Sequence, residues 1–118
     1  MEKYTTKPFT EALGDILRER YGDRMGRYSL AQFIPPVAKR TDLSHEYIRL
    51  MLTDMRPLRM DVVEAVSGEL NLDPHYFMEY RAAWVKKQME TNPELSAKVY
   101  EFMVKLMDLV DSQADRVK

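Results

Sequence analysis

VAKRTDLSHEYIRLMLTDMRPL, residues 37–58, is the stretch that decides the predicted fold. Two short apolar segments there are separated by the polar residues 41–44, and the second segment opens with Ser44. Serine is a favoured N-cap because its side-chain oxygen accepts a hydrogen bond from a backbone N–H of the first helical turn. The apolar residues that follow have the spacing of one helical face: Tyr47, Ile48, Met51 and Leu52. The stretch therefore predicts two helices joined by a tight turn, the second running from Ser44 to about Thr53.

Another helix is predicted upstream, between Thr10 and Gly22. Apolar residues recur there on one helical face: Phe9, Leu13, Ile16, Leu17 and Tyr21. Glycine is common just beyond helix C-termini, so Gly22 predicts the end of the helix. The polar residues 1–7, which precede Pro8, are predicted to form a flexible arm, and residues 22–28 a loop.

Two prolines leave the start of the second helix open. Residues 29–32 (SLAQ) fit the capping-box pattern, which predicts a helix that begins at Ser29. Pro35 and Pro36 then lie inside that helix, where proline removes a backbone donor and clashes with the preceding turn. Either the helix is kinked, or residues 29–34 form a separate turn and the helix restarts with Pro35 in its first turn.

Three further helices are predicted downstream of a basic turn at residues 54–59 (DMRPLR). The fourth helix spans residues 60–70, with an inner face formed by Val62, Val63, Val66 and Leu70. Pro74 is predicted to begin the fifth. That helix carries an aromatic-rich stripe at helical spacing: Phe77, Tyr80, Arg81, Trp84 and Met89. Core packing or a dimer interface explains this stripe, with a ligand pocket as the alternative.

The last helix is predicted to start at Pro93, after Asn92 as its N-cap. Its apolar residues follow a 4-3-4-3 spacing: Leu95, Val99, Phe102, Leu106 and Leu109. No strand pattern is present in the sequence. The chain is therefore predicted to be all-α.

Composition limits the class of protein more than it names one. A chain of 118 residues suits one domain, or a small domain with an appendage. The absence of cysteine excludes disulfides and thiol chemistry and fits a cytoplasmic protein. No apolar run approaches the roughly 18 residues that a membrane span needs, so no membrane partner is expected.

Charge is distributed unevenly between the two halves of the chain. The formal net charge is −1, yet residues 1–60 hold 11 basic and 8 acidic side chains, whereas residues 61–118 hold 7 and 11. This asymmetry suits an N-terminal half that faces phosphates. An enzyme is rejected, because two histidines thirty residues apart, without a glycine-rich phosphate loop, offer no active site. No cofactor and no metal site are expected.

Residues 37–77 resemble the Cro/cI-type (XRE family) helix-turn-helix domain of phage and bacterial repressors. Ala38 matches the small residue of that family's second helix, and Leu43-Ser44 matches the pair that opens its recognition helix. Residues 70–74 (LNLDP) are similar to the LGVDP ending of its last core helix. The resemblance covers residues 9–77 and departs from the family at Asp42 and Asp54, where glycine is usual.

The resemblance implies a five-helix phage-repressor-like helix-turn-helix domain at residues 8–77, followed by a helical dimerisation extension at residues 78–118. It implies a sequence-specific transcription regulator that binds double-stranded DNA as a homodimer, with the recognition helix Ser44–Thr53 in the major groove. Two such helices about 34 Å apart would read a pseudo-palindromic site. A cytoplasmic, nucleoid-associated location follows, and no small-molecule effector is named by the sequence.

Family positions that read bases fall on His45, Glu46 and Leu50. Positions that contact phosphate fall near Ser44, Arg49 and residues 54–59, where Arg56 and Arg59 supply charge. Lys39, Arg40 and Arg27 are outer candidates, and Thr53 completes the predicted DNA-binding set. His45 donates to guanine, Glu46 accepts from cytosine N4 and Leu50 contacts a thymine methyl in this interpretation. The alternatives are a phosphate contact for His45, an intrahelical pair for Glu46 and burial against the fourth helix for Leu50.

The C-terminal helices are predicted to form the dimer interface. Their candidate residues are Trp84, Leu95, Val99, Phe102, Met103, Leu106, Leu109 and Val110. The alternative is that the last helix folds back on the fifth. A second hypothesis for the whole chain is a protein-interaction module, antitoxin- or anti-repressor-like, that uses the same fold without reading DNA; nine methionines suit an adaptable surface.

Overall fold

The computed structural model describes residues 2–117, with side chains described through Gln113. These residues form helices and no strands, so the all-α prediction is confirmed. The helices are α1 (Phe9–Tyr21), α2 (Ile34–Thr41), α3 (His45–Leu52), α4 (Met60–Leu70), α5 (Met78–Thr91) and α6 (Pro93–Val117), with single 3-10 turns at Leu30–Gln32 and Pro74–Tyr76. Among the described residues, no helix is both long enough and apolar enough to cross a membrane.

The chain divides into two compact units, Met1–Ala83 and Trp84–Lys118. The first unit extends beyond the predicted 8–77 domain because the start of α5 belongs to it. Glu79 Oε2 accepts from the backbone N–H of Phe9 at 2.6 Å, and Tyr80 Oη donates to Glu64 Oε1 at 3.0 Å. The first turn of α5 is therefore anchored to α1 and α4.

The core of the first unit lies between α1, α2, α3 and α4, where α2 packs against both α3 and α4. Its most deeply buried large apolar side chains are Phe9, Leu17, Val37, Ile48, Met51, Val62, Val63, Val66, Leu70 and Phe77. The rings of Phe9 and Phe77 meet edge to face at 4.7 Å. Burying this apolar surface is the main stabilising term for the unit.

The prediction of a flexible arm is wrong for the residues just before Pro8. Thr5 is buried; its N–H donates to the Tyr76 carbonyl at 2.9 Å, and its carbonyl accepts from Arg81 Nη2 at 2.8 Å. Lys7 Nζ lies 2.6 Å from Asp15 Oδ2. Tyr76 and Arg81 are distant in sequence from Thr5, and Asp15 lies on α1. A local pattern of polar residues therefore does not reveal these contacts.

The two prolines lie in a restarted helix rather than in a kinked one. Ser29 Oγ accepts from the N–H of Ala31 and caps only the 3-10 turn Leu30–Gln32. The α2 helix then begins at Ile34, which places Pro35 in its first turn. A first turn has backbone N–H groups without helical acceptors, so proline loses nothing there.

The tight turn between α2 and α3 consists of three residues, Asp42–Ser44. Asp42 has φ 58° and Asp54 has φ 62°, so both occupy the left-handed region where glycine is favoured. Ser44 Oγ accepts from the N–H of Tyr47 at 3.2 Å, which confirms the predicted N-cap. The aspartates thus adopt the glycine conformation at the conformational cost of a Cβ atom.

Pro74 was predicted to begin the fifth helix, but it begins only a single 3-10 turn. Asp73 Oδ1 accepts from the N–H of His75 and caps this turn. Phe77 then has an extended backbone, with φ −87° and ψ 132°, and α5 starts at Met78. The extended residue allows the Phe77 side chain to enter the core, which separates it from the predicted stripe of α5.

The second unit contains the C-terminal part of α5 and the 25-residue α6. Asn92 Oδ1 accepts from the N–H of Leu95 at 3.1 Å and Pro93 is the first residue of α6, as predicted. Most of the large apolar side chains of α6 are exposed in the single chain. The part of α5 in this unit therefore does not cover α6, contrary to the alternative that α6 folds back on it.

Candidate functional site

The α3 helix has one buried face and one exposed polar face. Ile48, Met51 and Leu52 are buried in the core of the first unit, with Tyr47 partly buried beside them. The opposite face is formed by the exposed side chains of Ser44, His45, Glu46, Arg49 and Thr53. The two faces follow from the apolar spacing of the sequence, because the residues of the predicted stripe are the ones that pack in or against the core.

The N-terminus of α3 presents groups that suit an anion. Ser44 accepts a hydrogen bond through Oγ, which leaves its hydroxyl proton available to an external acceptor. The first backbone N–H groups of a helix have no intrahelical acceptors. Helix dipole and N–H groups together favour negative charge at this end.

Glu46 and Arg49 form a two-point ion pair on the exposed face. Arg49 Nε donates to Glu46 Oε2 at 3.0 Å, and Arg49 Nη2 donates to Glu46 Oε1. The guanidinium holds the pKa of the Glu46 carboxyl below its ordinary value, and the carboxylate raises the pKa of Arg49. Both groups stay charged at neutral pH, and the intrahelical pair considered as an alternative for Glu46 is present.

Two further predicted phosphate contacts are also paired with carboxylates of this chain. Arg59 reaches Asp61 through Nε at 3.1 Å and Nη2 at 2.8 Å, and the carboxylate raises the pKa of Arg59. Arg40 Nε donates to Glu69 Oε1 at 2.6 Å. The partners Asp61 and Glu69 lie on α4 and were missed from sequence; the i, i+2 spacing of Arg59 and Asp61 was the available signal.

Lys39 and Arg56 differ from these paired cations. Both are exposed, and among the described residues neither forms an ion pair. The Arg56 guanidinium lies 6.0 Å from the centre of the Tyr47 ring, which places it beside α3. Arg27, another outer candidate, pairs with Asp23 at 3.2 Å.

Leu50 and Thr53 complete the predicted set. Leu50 is partly exposed rather than part of the buried core, so it keeps some surface for an external contact. Thr53 is exposed, but its hydroxyl donates to the Arg49 carbonyl at 2.8 Å. A shallow hollow of about 200 Å³ adjoins this face, and the sequence did not indicate it; it is lined by Ala31, Ile34, Pro35, His45, Glu46 and Arg49.

The predicted dimerisation residues belong to the second unit, with Trp84 on α5 and the others on α6. Phe102 is 65% exposed and Leu109 is 63% exposed. The remaining predicted residues are also at least partly exposed: Trp84, Leu95, Val99, Met103, Leu106 and Val110. The sequence interpretation did not include Tyr100 and Met107. Both are exposed, and each directly follows a residue of the predicted stripe, Val99 and Leu106.

The region around His75 has polar side chains close together. His75 Nδ1 lies 3.1 Å from Asp73 Oδ1, and the His75 and Tyr80 rings meet edge to face at 5.0 Å. The backbone and side chain of His75 lower the pKa of Asp73, while burial and Glu64 raise the pKa of Tyr80. Among the residues whose side chains are described, no group of three or more histidine, aspartate or glutamate side chains is arranged to hold a metal ion.

Comparisons with protein-family models, with curated proteins and with solved structures found no match to this chain. Function must therefore be inferred from the chain's own side chains.

Proposed function

We propose that this chain binds double-stranded DNA as a sequence-specific transcription regulator, with α3 in the major groove. In this proposal α2, the turn Asp42–Ser44 and α3 form a helix-turn-helix. Residues 9–77 are then a Cro/cI-type (XRE family) domain. Such a protein would act on the nucleoid in the cytoplasm.

The observation that carries the proposal is the two-faced α3 helix. Its apolar face is buried in the core, and its polar face is exposed and therefore accessible to an external partner. The α3 helix is short and follows Asp42, which has a left-handed backbone, and Ser44, which is its N-cap. A short exposed helix of this kind fits the width of the DNA major groove, about 12 Å.

Phosphate contacts come from both ends of this surface. The Ser44 hydroxyl and the first N–H groups of α3 suit one phosphate. Lys39 near the end of α2 and Arg56 after α3 supply positive charge, and among the described residues neither has an ion pair that DNA would have to displace. These contacts position the helix but carry no sequence information.

Base reading falls to three side chains of α3. His45 at the first position of α3 donates to guanine, and Glu46 accepts from the amino group of cytosine. Leu50, which is partly exposed one turn later, contacts a thymine methyl group.

The proposed regulator is a homodimer, joined through α6. Six residues of the predicted seam are large, apolar and 38–65% exposed in the single chain: Leu95, Phe102, Met103, Leu106, Leu109 and Val110. An exposed apolar stripe of this kind marks an interaction surface. A second copy offers the same 4-3-4-3 spacing and is therefore the matching occupant.

A protein-interaction module is the second candidate, and two observations favour it. Three of the predicted phosphate-binding arginines are already paired with carboxylates, which lowers the positive potential of the α3 face. The apolar surface of α6 also exceeds the predicted seam, because Tyr100 and Met107 are exposed. A partner protein in place of DNA would account for both.

Binding of a fluorescent random-sequence duplex, measured by anisotropy across a salt series, tests the DNA proposal. The double variant Lys39→Ala with Arg56→Ala should flatten the slope of log affinity against log salt by about two units per protomer. The control Lys98→Ala with Lys105→Ala removes the same charge from α6 and should leave the slope unchanged. Absence of binding by the native chain at low salt, or equal effects of the two variants, would reject the proposal.

A further inference from the structure

The basic side chains around α3 fall into two groups. Lys39 and Arg56 have no ion pair among the described residues, whereas Arg40, Arg49 and Arg59 are held by carboxylates. A guanidinium presents five N–H donors in a fixed fork, and a carboxylate that takes two of them competes with phosphate for the same geometry. The two groups should therefore behave differently toward DNA.

The Glu46–Arg49 pair differs from the other two pairs in the position of its acid. Asp61 and Glu69 belong to α4, whereas Glu46 lies in the first turn of α3, on the same exposed face as Arg49. The Glu46 side chain is 65% exposed and the Arg49 side chain 47%. Glu46 is therefore the one paired acid that also occupies a proposed base-reading position.

A carboxylate in the major groove is repelled by the surrounding phosphates and needs a donor to offset that repulsion. Cytosine presents its N4 amino group in the groove without an adjacent acceptor, whereas the N6 amino group of adenine lies beside the acceptor N7, and guanine N7 and O6 and thymine O4 are acceptors. Opposite an acceptor, the carboxylate of Glu46 keeps Arg49 as its donor. Opposite cytosine, the amino group replaces Arg49 as the partner of the carboxylate.

We propose that Glu46 is a specificity-determining residue that keeps Arg49 from DNA phosphate until its carboxylate accepts from a cytosine amino group. This inference rests on the proposed function, since it requires α3 in the major groove. On a cognate site Arg49 is released and gains a phosphate contact. On other DNA the pair stays closed, and phosphate binding depends on Lys39 and Arg56.

The test uses the full-length chain and a site enriched by it from random DNA, with duplexes in which each C·G pair is replaced in turn. Glu46→Gln should lose the preference at one C·G pair per half-site, a loss of about 5- to 150-fold in discrimination. It should also bind non-cognate DNA more tightly and steepen the salt slope on that DNA by about one unit per protomer. An unchanged melting temperature would show that the variant is folded.

Glu69→Gln is the matched control, because it frees Arg40 in the same way without altering α3. This variant should leave the preference at every base pair unchanged. Arg49→Ala added to Glu46→Gln gives a second readout: it should remove the non-cognate affinity that Glu46→Gln gains and return the salt slope on that DNA to its native value.

Two results would overturn the inference while leaving the proposed function intact. One is a Glu46→Gln variant that keeps the native base preference. The other is a Glu46→Gln variant whose steeper salt slope on non-cognate DNA is unchanged when Arg49→Ala is added, because the gained phosphate contact would then not come from Arg49. A native chain that enriches no site, or binds no DNA at low salt, would instead defeat the proposed function and this inference with it.

Discussion

The helices of the first unit and α6 have equally regular apolar spacing but opposite burial. In the first unit, Ile48 on α3 is 0% exposed and Leu17 on α1 is 0% exposed. On α6, Phe102 is 65% exposed and Leu109 is 63% exposed. A periodic pattern thus predicts a helix and the side of it that needs covering, but it does not say whether the same chain provides the cover.

The largest expected effect comes from a Phe→Ala substitution made once in the first unit and once on α6. Phe77→Ala removes a buried ring that packs against Phe9, and it should lower the free energy of unfolding by about 3–5 kcal/mol. Phe102→Ala removes an exposed ring and should leave the free energy of unfolding of the monomer unchanged. Urea unfolding at low protein concentration measures both. Comparable losses would mean that α6 belongs to the core of the first unit.

A charge on α6 should act on association rather than on folding. Phe102→Asp with Leu106→Asp places two carboxylates in the proposed homodimer seam, where burying an unpaired charge is strongly unfavourable. Sedimentation should then show monomers at concentrations where the native chain is dimeric, with helical content retained. If the double variant stays dimeric, α6 is not the interface.

The smallest expected effect tests the turn Asp42–Ser44, which joins α2 to α3. Asp42→Gly should raise the stability of the first unit by a few tenths of a kcal/mol up to about 1 kcal/mol, because glycine accepts φ 58° without strain. The same change at Asp108, inside α6, should reduce helical content, since glycine is a poor helix former. A loss of stability in Asp42→Gly would show that the aspartate side chain contributes more than its backbone costs.

Features set by near neighbours could be predicted from sequence. Ser44 and Asn92 are caps that depend on residues three positions away, and both were predicted. The bounds of α4 followed from the spacing of its valines and from Asn71, which ends it in a left-handed conformation. In each case the deciding interaction lies within one helical turn.

Features set by distant partners could not be predicted. Thr5 is held by Tyr76 and Arg81, more than seventy positions away along the chain. The pairing of Arg40 with Glu69 joins α2 to α4 and depends on how those helices pack. Pro74 does not begin the fifth helix because Phe77 is buried in the core and has an extended backbone, which ends the 3-10 turn. Local spacing contains no information on these contacts.

Selection of bound fragments from random double-stranded DNA tests the central claim, DNA reading by α3, most directly. The proposal predicts one enriched pseudo-palindromic sequence whose half-sites are centred about 34 Å apart, one turn of DNA, and each of which contains a C·G pair read by Glu46. Lack of enrichment by the native chain, at salt concentrations where DNA-binding proteins retain fragments, would contradict it and favour a partner protein instead.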